Sequence, residues 1–351
     1  MDHSEIDARL QRAFGGSTVL VTGGAGFIGS HLTRLLFQAG AIVLVIDNLS
    51  TGRRENLRDL PAERVKLICG DIGDPEIVRS AAEKVGTIFH LACLGVRHSI
   101  HSPRQNHQVN ATATLSLLET AREVRIQRFV HVSSSEVYGN PLYTPMDENH
   151  PTFPNTVYAG AKLAGEAYAR AYFRTYDFPV VVLRPFNVFG PGAHHQADQG
   201  EVIPRFLLNA MTENDLIIFG DGRQTRDFTH VDDIVRGIAT AGMTSDLEGE
   251  TINLGSGVEI SINHLAEAVV GLAGAKEPTI RHEASRPGDT RRLCASIEKA
   301  RRLLSYEPQI HFEQGLRALW EWYAARSPEQ LRELQKEIML RNWLQPEGGS
   351  A

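Results

Sequence analysis

Cysteine is scarce in this sequence: Cys69, Cys93 and Cys294 are the three in 351 residues, and no C-x-x-C pair occurs. An odd, sparse set argues against a disulfide framework and reads as reduced thiols in a cytoplasmic protein. Basic charge is not in excess either. The formal net charge is -6, which argues against a general nucleic-acid binder but leaves room for a local basic pocket. No uninterrupted apolar run nears membrane-spanning length, and the opening MDHSEIDARLQRAFGG has no apolar core of signal-peptide type. Internal repeats and low-complexity tracts are missing as well. A cytoplasmic chain with neither membrane nor nucleic-acid partners is expected. Hydrophobic residues at 42% and charged residues at 22% are ordinary for a globular protein. The length suits one large α/β unit or two closely joined domains.

The first half alternates short β-branched runs with helical periods. Strands are expected at Thr18–Thr22, Ala41–Ile46, Val65–Ile68, Thr87–Leu91, Phe129–Ser133 and Val180–Leu183. Helices are expected at Phe27–Ala39, after the N-cap pair Asp74–Pro75, from Pro103 to about Glu123, and at Val157–Tyr176. Near-continuous apolar strands separated by helices imply a parallel sheet covered on both faces, which binds ligands beyond the carboxyl ends of its strands. After Pro185, Gly and Pro become frequent and strands such as Leu216–Phe219 and Thr251–Leu254 are scattered. The fold class is therefore α/β: a Rossmann doubly wound parallel sheet (1–185) with a smaller C-terminal substrate-binding lobe (186–330). Segments such as 226–245 are candidates to return to the sheet, and 331–351 reads as a tail that frays at QPEGGSA.

Gly23, Gly26 and Gly29 directly follow the first strand and open the first helix. A tight turn, a close backbone approach to a pyrophosphate and close helix–strand packing all need glycine there, and the helix N-terminus offers free N–H groups to the phosphates. Asp47 ends the second strand, where a carboxylate accepts hydrogen bonds from adenosine ribose hydroxyls and repels a 2′-phosphate. NAD is expected over NADP, with Arg53 and Arg54 as nearby loop cations. Asp71, after the third strand, either receives the adenine amino group or caps its own loop. Phe27, Ile28, Asn48, Ile72, Leu91 and Ala92 complete the expected cofactor edge.

Tyr158 and Lys162 stand four apart, one above the other on a helix face. A nearby cation lowers a phenol's pKa, so that a phenolate can take a proton from a substrate hydroxyl. Ser133, Ser134 and Ser135 end the fifth strand at the same carboxyl edge, where a hydroxyl can share the hydrogen bond to the reacting oxygen.

Together the segments TGGAGFIGSHL, DNLSTG, HLAC, SSSEVYG, YAGAK, RPFNVFGPG, VIPRF, GDGRQTRDF, NLGSG and RPGD resemble the extended short-chain dehydrogenase/reductases that act as nucleotide-sugar epimerases, dehydratases and decarboxylases. The resemblance runs from about Thr18 to Tyr323. It implies a bound NAD that removes a hydride from sugar C4 and later returns it, with Ser134, Tyr158 and Lys162 as the catalytic trio. It implies a homodimer, through helices Arg104–Arg122 and Leu163–Tyr176. It also places Asn187, Val202 to Pro204, Arg226, Arg286 and Asp289 where the nucleotide and its diphosphate are held. Arginine forks suit phosphate oxygens, and two in separate Gly-rich loops can close on a diphosphate without making the protein basic.

The reaction subclass turns on Glu136. By the resemblance, a 4-epimerase needs no base beyond the trio and usually has a small residue here, whereas dehydratases and decarboxylases carry Glu, as a C5 base in the dehydratase. Against that, Ser135 stands where some dehydratases place an Asp acid, although others and the decarboxylases have Ser. The DNLSTG, TRDF and RPGD segments look more like UDP-hexose 4-epimerases, so a 4-epimerase of a UDP-hexose or UDP-N-acetylhexosamine is the first reading. Dehydratase and decarboxylase are the alternatives. Leu293 falls where epimerases set pocket width beside the sugar's C2 substituent. His98, His101, His107, His194 and His195 match no zinc spacing, and no metal is expected. Cys93 reads as a small buried side chain. An inert NAD-binding scaffold or sensor and a simple alcohol dehydrogenase are the readings from other classes.

Overall fold

A computed structural model describes residues 3–274, 278–286 and 289–343. Pro287 and Gly288 of the RPGD segment and the QPEGGSA end lie outside the described residues. Seven strands form one parallel sheet: β1 Thr18–Thr22, β2 Ile42–Asp47, β3 Val65–Cys69, β4 Thr87–His90, β5 Arg128–Val132, β6 Val180–Pro185 and β7 Thr251–Leu254. Their spatial order is β7-β6-β5-β4-β1-β2-β3. The order reverses between β1 and β4, which is where a doubly wound sheet opens a ligand crevice.

Period-two alternation between two buried faces explains why the strands are largely apolar. Val19, Val21, Val43, Val45, Val130, Val132 and Leu183 enter one core. Their neighbours Leu20, Ile46, Ile88, Phe129 and Val182 enter a second core on the opposite face. Burial on both faces leaves no polar alternation to read, the signature of a parallel sheet. Helices Phe27–Gln38 and Val231–Met243 cover the first face. Helices Pro75–Ala82, Ala113–Glu123 and Val157–Tyr176 cover the second.

A third core gathers Phe206, Leu207, Leu216, Phe228, Leu265, Phe312 and Leu316 into the smaller lobe. The chain crosses between lobes more than once: Ile234 and Ile238, Leu254, and Leu293 to Tyr306 all sit in the core on the first face of the sheet. Strand Thr251–Leu254, expected among scattered strands of the lobe, is the sheet's edge strand beside β6. The helix expected from Pro103 to Glu123 is divided by a π-helical turn at Gln108–Thr112. There Asn110 exchanges hydrogen bonds with the Leu94 backbone in both directions, at 2.9 Å each, and the helix widens where it reaches across to the loop after β4. Sequence reading overlooked helix His3–Phe14, which buries Ile6, Leu10 and Phe14.

Candidate active site

A cleft of ≈ 460 Å³ opens at the carboxyl ends of β1, β4 and β5, between the sheet and the smaller lobe. Most of the candidate residues named from the sequence line it: the glycine turn and Asp47 at one end, Ser134, Ser135, Glu136, Tyr158 and Lys162 in the middle, and Asn187, Val202, Ile203, Arg226, Arg286 and Asp289 toward the lobe, whereas Pro204 does not. Phe27, Ile28, Asn48, Asp71, Ile72, Leu91 and Ala92 line it as well.

At the sheet end, Gly23 has φ +70, and a Cβ there would lie 2.7 Å from the Ala92 backbone nitrogen. A Cβ on Gly29 would lie 2.0 Å from the Gly23 carbonyl oxygen. The turn therefore presses helix Phe27–Gln38 onto its own loop and leaves the first-turn N–H groups facing the cleft, a cradle that fits a dinucleotide pyrophosphate. The Asp47 carboxylate accepts from Ala25 N (2.9 Å) and Leu49 N (2.8 Å), which fixes it against the glycine turn. Asp71 accepts from Gly73 N (2.7 Å) and from Asn48 Nδ2 (2.9 Å), so it caps its own loop while lining the cleft.

The catalytic candidates meet because two elements end side by side. Ser134 caps the short turn Ser135–Tyr138 after β5, accepting from Glu136 N at 3.2 Å. Thr156 caps helix Val157–Tyr176, placing Tyr158 in its first turn and Lys162 one turn on. Lys162 Nζ donates to the Val132 carbonyl oxygen at 2.6 Å. Burial, then the neighbouring Cys93 thiol, push the Tyr158 phenol up, against a hydrogen bond with Ser134. Of the influences from the chain itself, desolvation is the largest on this phenol, and the Lys162 ammonium is engaged with β5. Burial also raises the Glu136 carboxyl, although Arg226 and Arg97 oppose it.

Toward the lobe, one carboxylate oxygen of Asp289 joins Arg226 Nη2 (2.5 Å) and Arg286 Nη2 (3.1 Å). Arg226 is further fixed by the Thr290 carbonyl oxygen at 2.7 Å. Burial works to raise Asp289, but the guanidiniums of Arg286 and Arg226 hold it below its ordinary value. Two forks share one anchor and face the cleft, the geometry that binds phosphate oxygens.

Arg97 and Glu201 were missed, and both line the cleft. Burial, then Arg286 and Arg205, push Arg97 down to about 9, and burial pushes Glu201 up to about 8 against Arg97. Neither belongs to a spacing motif; the loop after β4 brings Arg97 in, and the approach to helix Val202–Met211 brings in Glu201. Cys93 is corrected: it is exposed and lines the cleft, because the chain leaves the sheet after His90 and Cys93 follows on the open loop. His98 and His101 form a short helical turn with rings 5.0 Å apart and do not line the cleft, whereas His194 does. Leu293 is fully buried in the first core and does not line the cleft, so it sets no pocket width directly.

A family model described as GDP-mannose 4,6 dehydratase matches residues 20–319. The chain belongs to that family. It is 37% identical over 314 residues to the UDP-glucose 4-epimerase of Mycolicibacterium smegmatis, covering 88% of this chain and 99% of that one. An epimerase structure from Methanothermobacter thermautotrophicus superposes with a TM-score of 0.87 at 38% identity, covering 96% of this chain and 99% of that one. The dTDP-glucose 4,6-dehydratase of Streptomyces venezuelae, solved with NAD bound, gives 0.83 at 35% identity, covering 88% and 97%. The expected resemblance to epimerases and dehydratases of this fold, and the Rossmann-type sheet, are borne out.

Proposed function

We propose that this protein is an NAD-dependent nucleotide-sugar 4-epimerase acting on a UDP-hexose or UDP-N-acetylhexosamine. One observation carries the reading: a single cleft joins a dinucleotide cradle, a Ser134–Tyr158–Lys162 cluster and a pair of arginines on a shared carboxylate. NAD, held by Gly23, Gly26, Gly29 and Asp47, supplies the hydride acceptor and donor. Tyr158 Oη takes the proton of the sugar C4 hydroxyl and returns it, Ser134 hydrogen-bonds the same oxygen, and Lys162 holds the cofactor's ribose side in place. Arg226 and Arg286 grip the diphosphate, with Asn187 and Val202 on the nucleotide. The oxidised sugar is then free to swing about its linkage to the diphosphate and present the other face of C4 while its nucleotide stays fixed. The UDP-glucose 4-epimerase of M. smegmatis supports this choice.

A 4,6-dehydratase is the second reading, because Glu136 lines the cleft with its carboxyl pushed up by burial, suited to exchanging a proton at C5. The dehydratase of S. venezuelae supports it. A homodimer through helices Ala113–Glu123 and Val157–Tyr176 belongs to the same proposal; Leu115 and Tyr176 stand exposed there. Incubation with UDP-glucose, UDP-N-acetylglucosamine, dTDP-glucose and UDP-glucuronate, followed by chromatography with mass detection, tests the reading. A new peak of unchanged mass supports the epimerase. Loss of water or of carbon dioxide moves the assignment to dehydratase or decarboxylase, and no turnover of any sugar overturns it.

A further inference from the structure

The family match ends at residue 319, yet the chain continues through described residues to Trp343. A capping box of Ser327 and Gln330 starts helix Pro328–Lys336, whose Leu331 is buried in the core of the smaller lobe. Residues 337–343 are then pinned at several separate places. The Glu337 carbonyl oxygen accepts from Ala197 N (3.0 Å), and its carboxylate approaches His195 Nε2 (3.3 Å) and Arg53 Nη2 (3.6 Å). Arg205 Nη2 donates to the Leu340 carbonyl oxygen at 3.1 Å, and Arg341 meets Glu283 at 3.4 Å. Asn342 is fully buried and donates to the Gly200 carbonyl oxygen at 3.0 Å. Trp343 then stands edge-on to Phe219, ring centroids 4.8 Å apart, and lines the cleft. A segment held this way is fastened to the smaller lobe and brings Trp343 to the cleft.

We propose that this strap completes the substrate site, with the Trp343 indole giving a stacking face to the nucleobase of the bound nucleoside diphosphate. The proposal rests on the nucleotide-sugar reading. Its geometry runs outward from the reaction centre. Tyr158 and Ser134 mark the sugar end, and Arg226 with Arg286 mark the diphosphate, so the base lies beyond the arginines, away from Tyr158. Phe219 ends a strand paired in register with Glu283, three residues before Arg286. Trp343, packed on Phe219, is therefore on the Arg286 side of the cleft. Every base has a π-face, and indole offers a large flat surface to it at little cost in side-chain freedom.

Calorimetry on the full chain tests this, using whichever of UDP, dTDP and GDP the unaltered protein binds most tightly, with pyrophosphate as a base-free probe. Trp343→Ala should weaken the nucleotide about ten-fold or more, and Trp343→Phe should recover most of it. Pyrophosphate affinity should be the same in all three proteins. Equal nucleotide affinity in Trp343→Ala and the unaltered chain overturns the proposal. Equal losses for nucleotide and pyrophosphate also overturn it, since they mark a merely structural plug. Should Trp343→Ala fail to fold, a Trp343→Phe protein that binds nucleotide no more tightly than pyrophosphate decides against stacking. If the unaltered protein binds pyrophosphate but none of the nucleotides, the nucleotide-sugar reading fails first and the proposal with it.

Discussion

Tyr158 and Glu136 occupy one cleft and are pushed the same way, yet they answer different questions. Burial pushes the phenol up, and the Ser134 hydrogen bond works against this, toward the phenolate that accepts the C4 proton. Replacing Tyr158 with Phe removes the proton acceptor and keeps the ring, so turnover should fall by at least two orders of magnitude while NAD stays bound. Full activity in that variant would sink the mechanism. Glu136→Gln should leave 4-epimerisation within a few-fold and abolish any loss of water; a variant that binds substrate but no longer epimerises would assign Glu136 a role in the C4 step. The residues that sequence revealed are those held in rigid spacing: three glycines after a strand, a Tyr and a Lys one helical turn apart, and Arg226 and Arg286 in resembling loops. Arg97 and Glu201 stayed hidden because they become neighbours only through the fold, from either side of the cleft. The fate of Lys162 was hidden too, since no spacing tells that its ammonium turns to the Val132 carbonyl.

The glycine turn is the element on which cofactor binding depends most narrowly. A methyl at Gly29 would need the Gly23 carbonyl, 2.0 Å away, to move, and with it the turn that Asp47 fixes. Gly29→Ala should therefore lower NAD affinity about ten-fold or more and destabilise the fold by about 1–3 kcal/mol, as overpacking does. Titration with NAD and denaturant melts of the same variant check both; unchanged affinity would detach the turn from the cofactor. Strands β1 to β6 were legible to within about two residues because each is a short apolar run bounded by turns. Helix His3–Phe14 was overlooked although Ile6, Leu10 and Phe14 carry a four-residue period, because its mean character is polar. The division of the helix after Pro103 was not legible either, since it follows from Asn106 and Asn110 bonding the Leu94 and Gly95 backbone.

Taken whole, the molecule stores a pH dependence beneath its site. His90 bonds Thr22 (2.8 Å) and Thr114 (2.9 Å), and its ring lies 5.4 Å from that of His131. Neither nitrogen of His131 has a hydrogen-bond partner among the described residues. Burial, then the Lys162 ammonium, push His90 down to about 3, and the same causes push His131 well below its ordinary value. In the unfolded chain both take up protons near pH 6.5, so folding stability is complete above that value and falls as pH drops below it. Each contributes a slope of up to about 1.4 kcal/mol per pH unit. Urea melts between pH 4 and 7, as an approximate window set by those values, should show a shallower slope by about one proton in His131→Leu. An unchanged slope would assign the acid sensitivity elsewhere. The interleaving of lobes and the C-terminal strap also belong to this scale, and local patterns could not reveal them, because both depend on which distant segments share a core.

The central claim is that hydride leaves sugar C4 and returns to C4 within one bound encounter. A UDP-hexose deuterated at C4, turned over with the enzyme and followed by NMR, tests this most directly. The account predicts that the epimeric product keeps its deuterium at C4, with none in solvent or in free cofactor. Deuterium at C6, or released into added NAD, would contradict it.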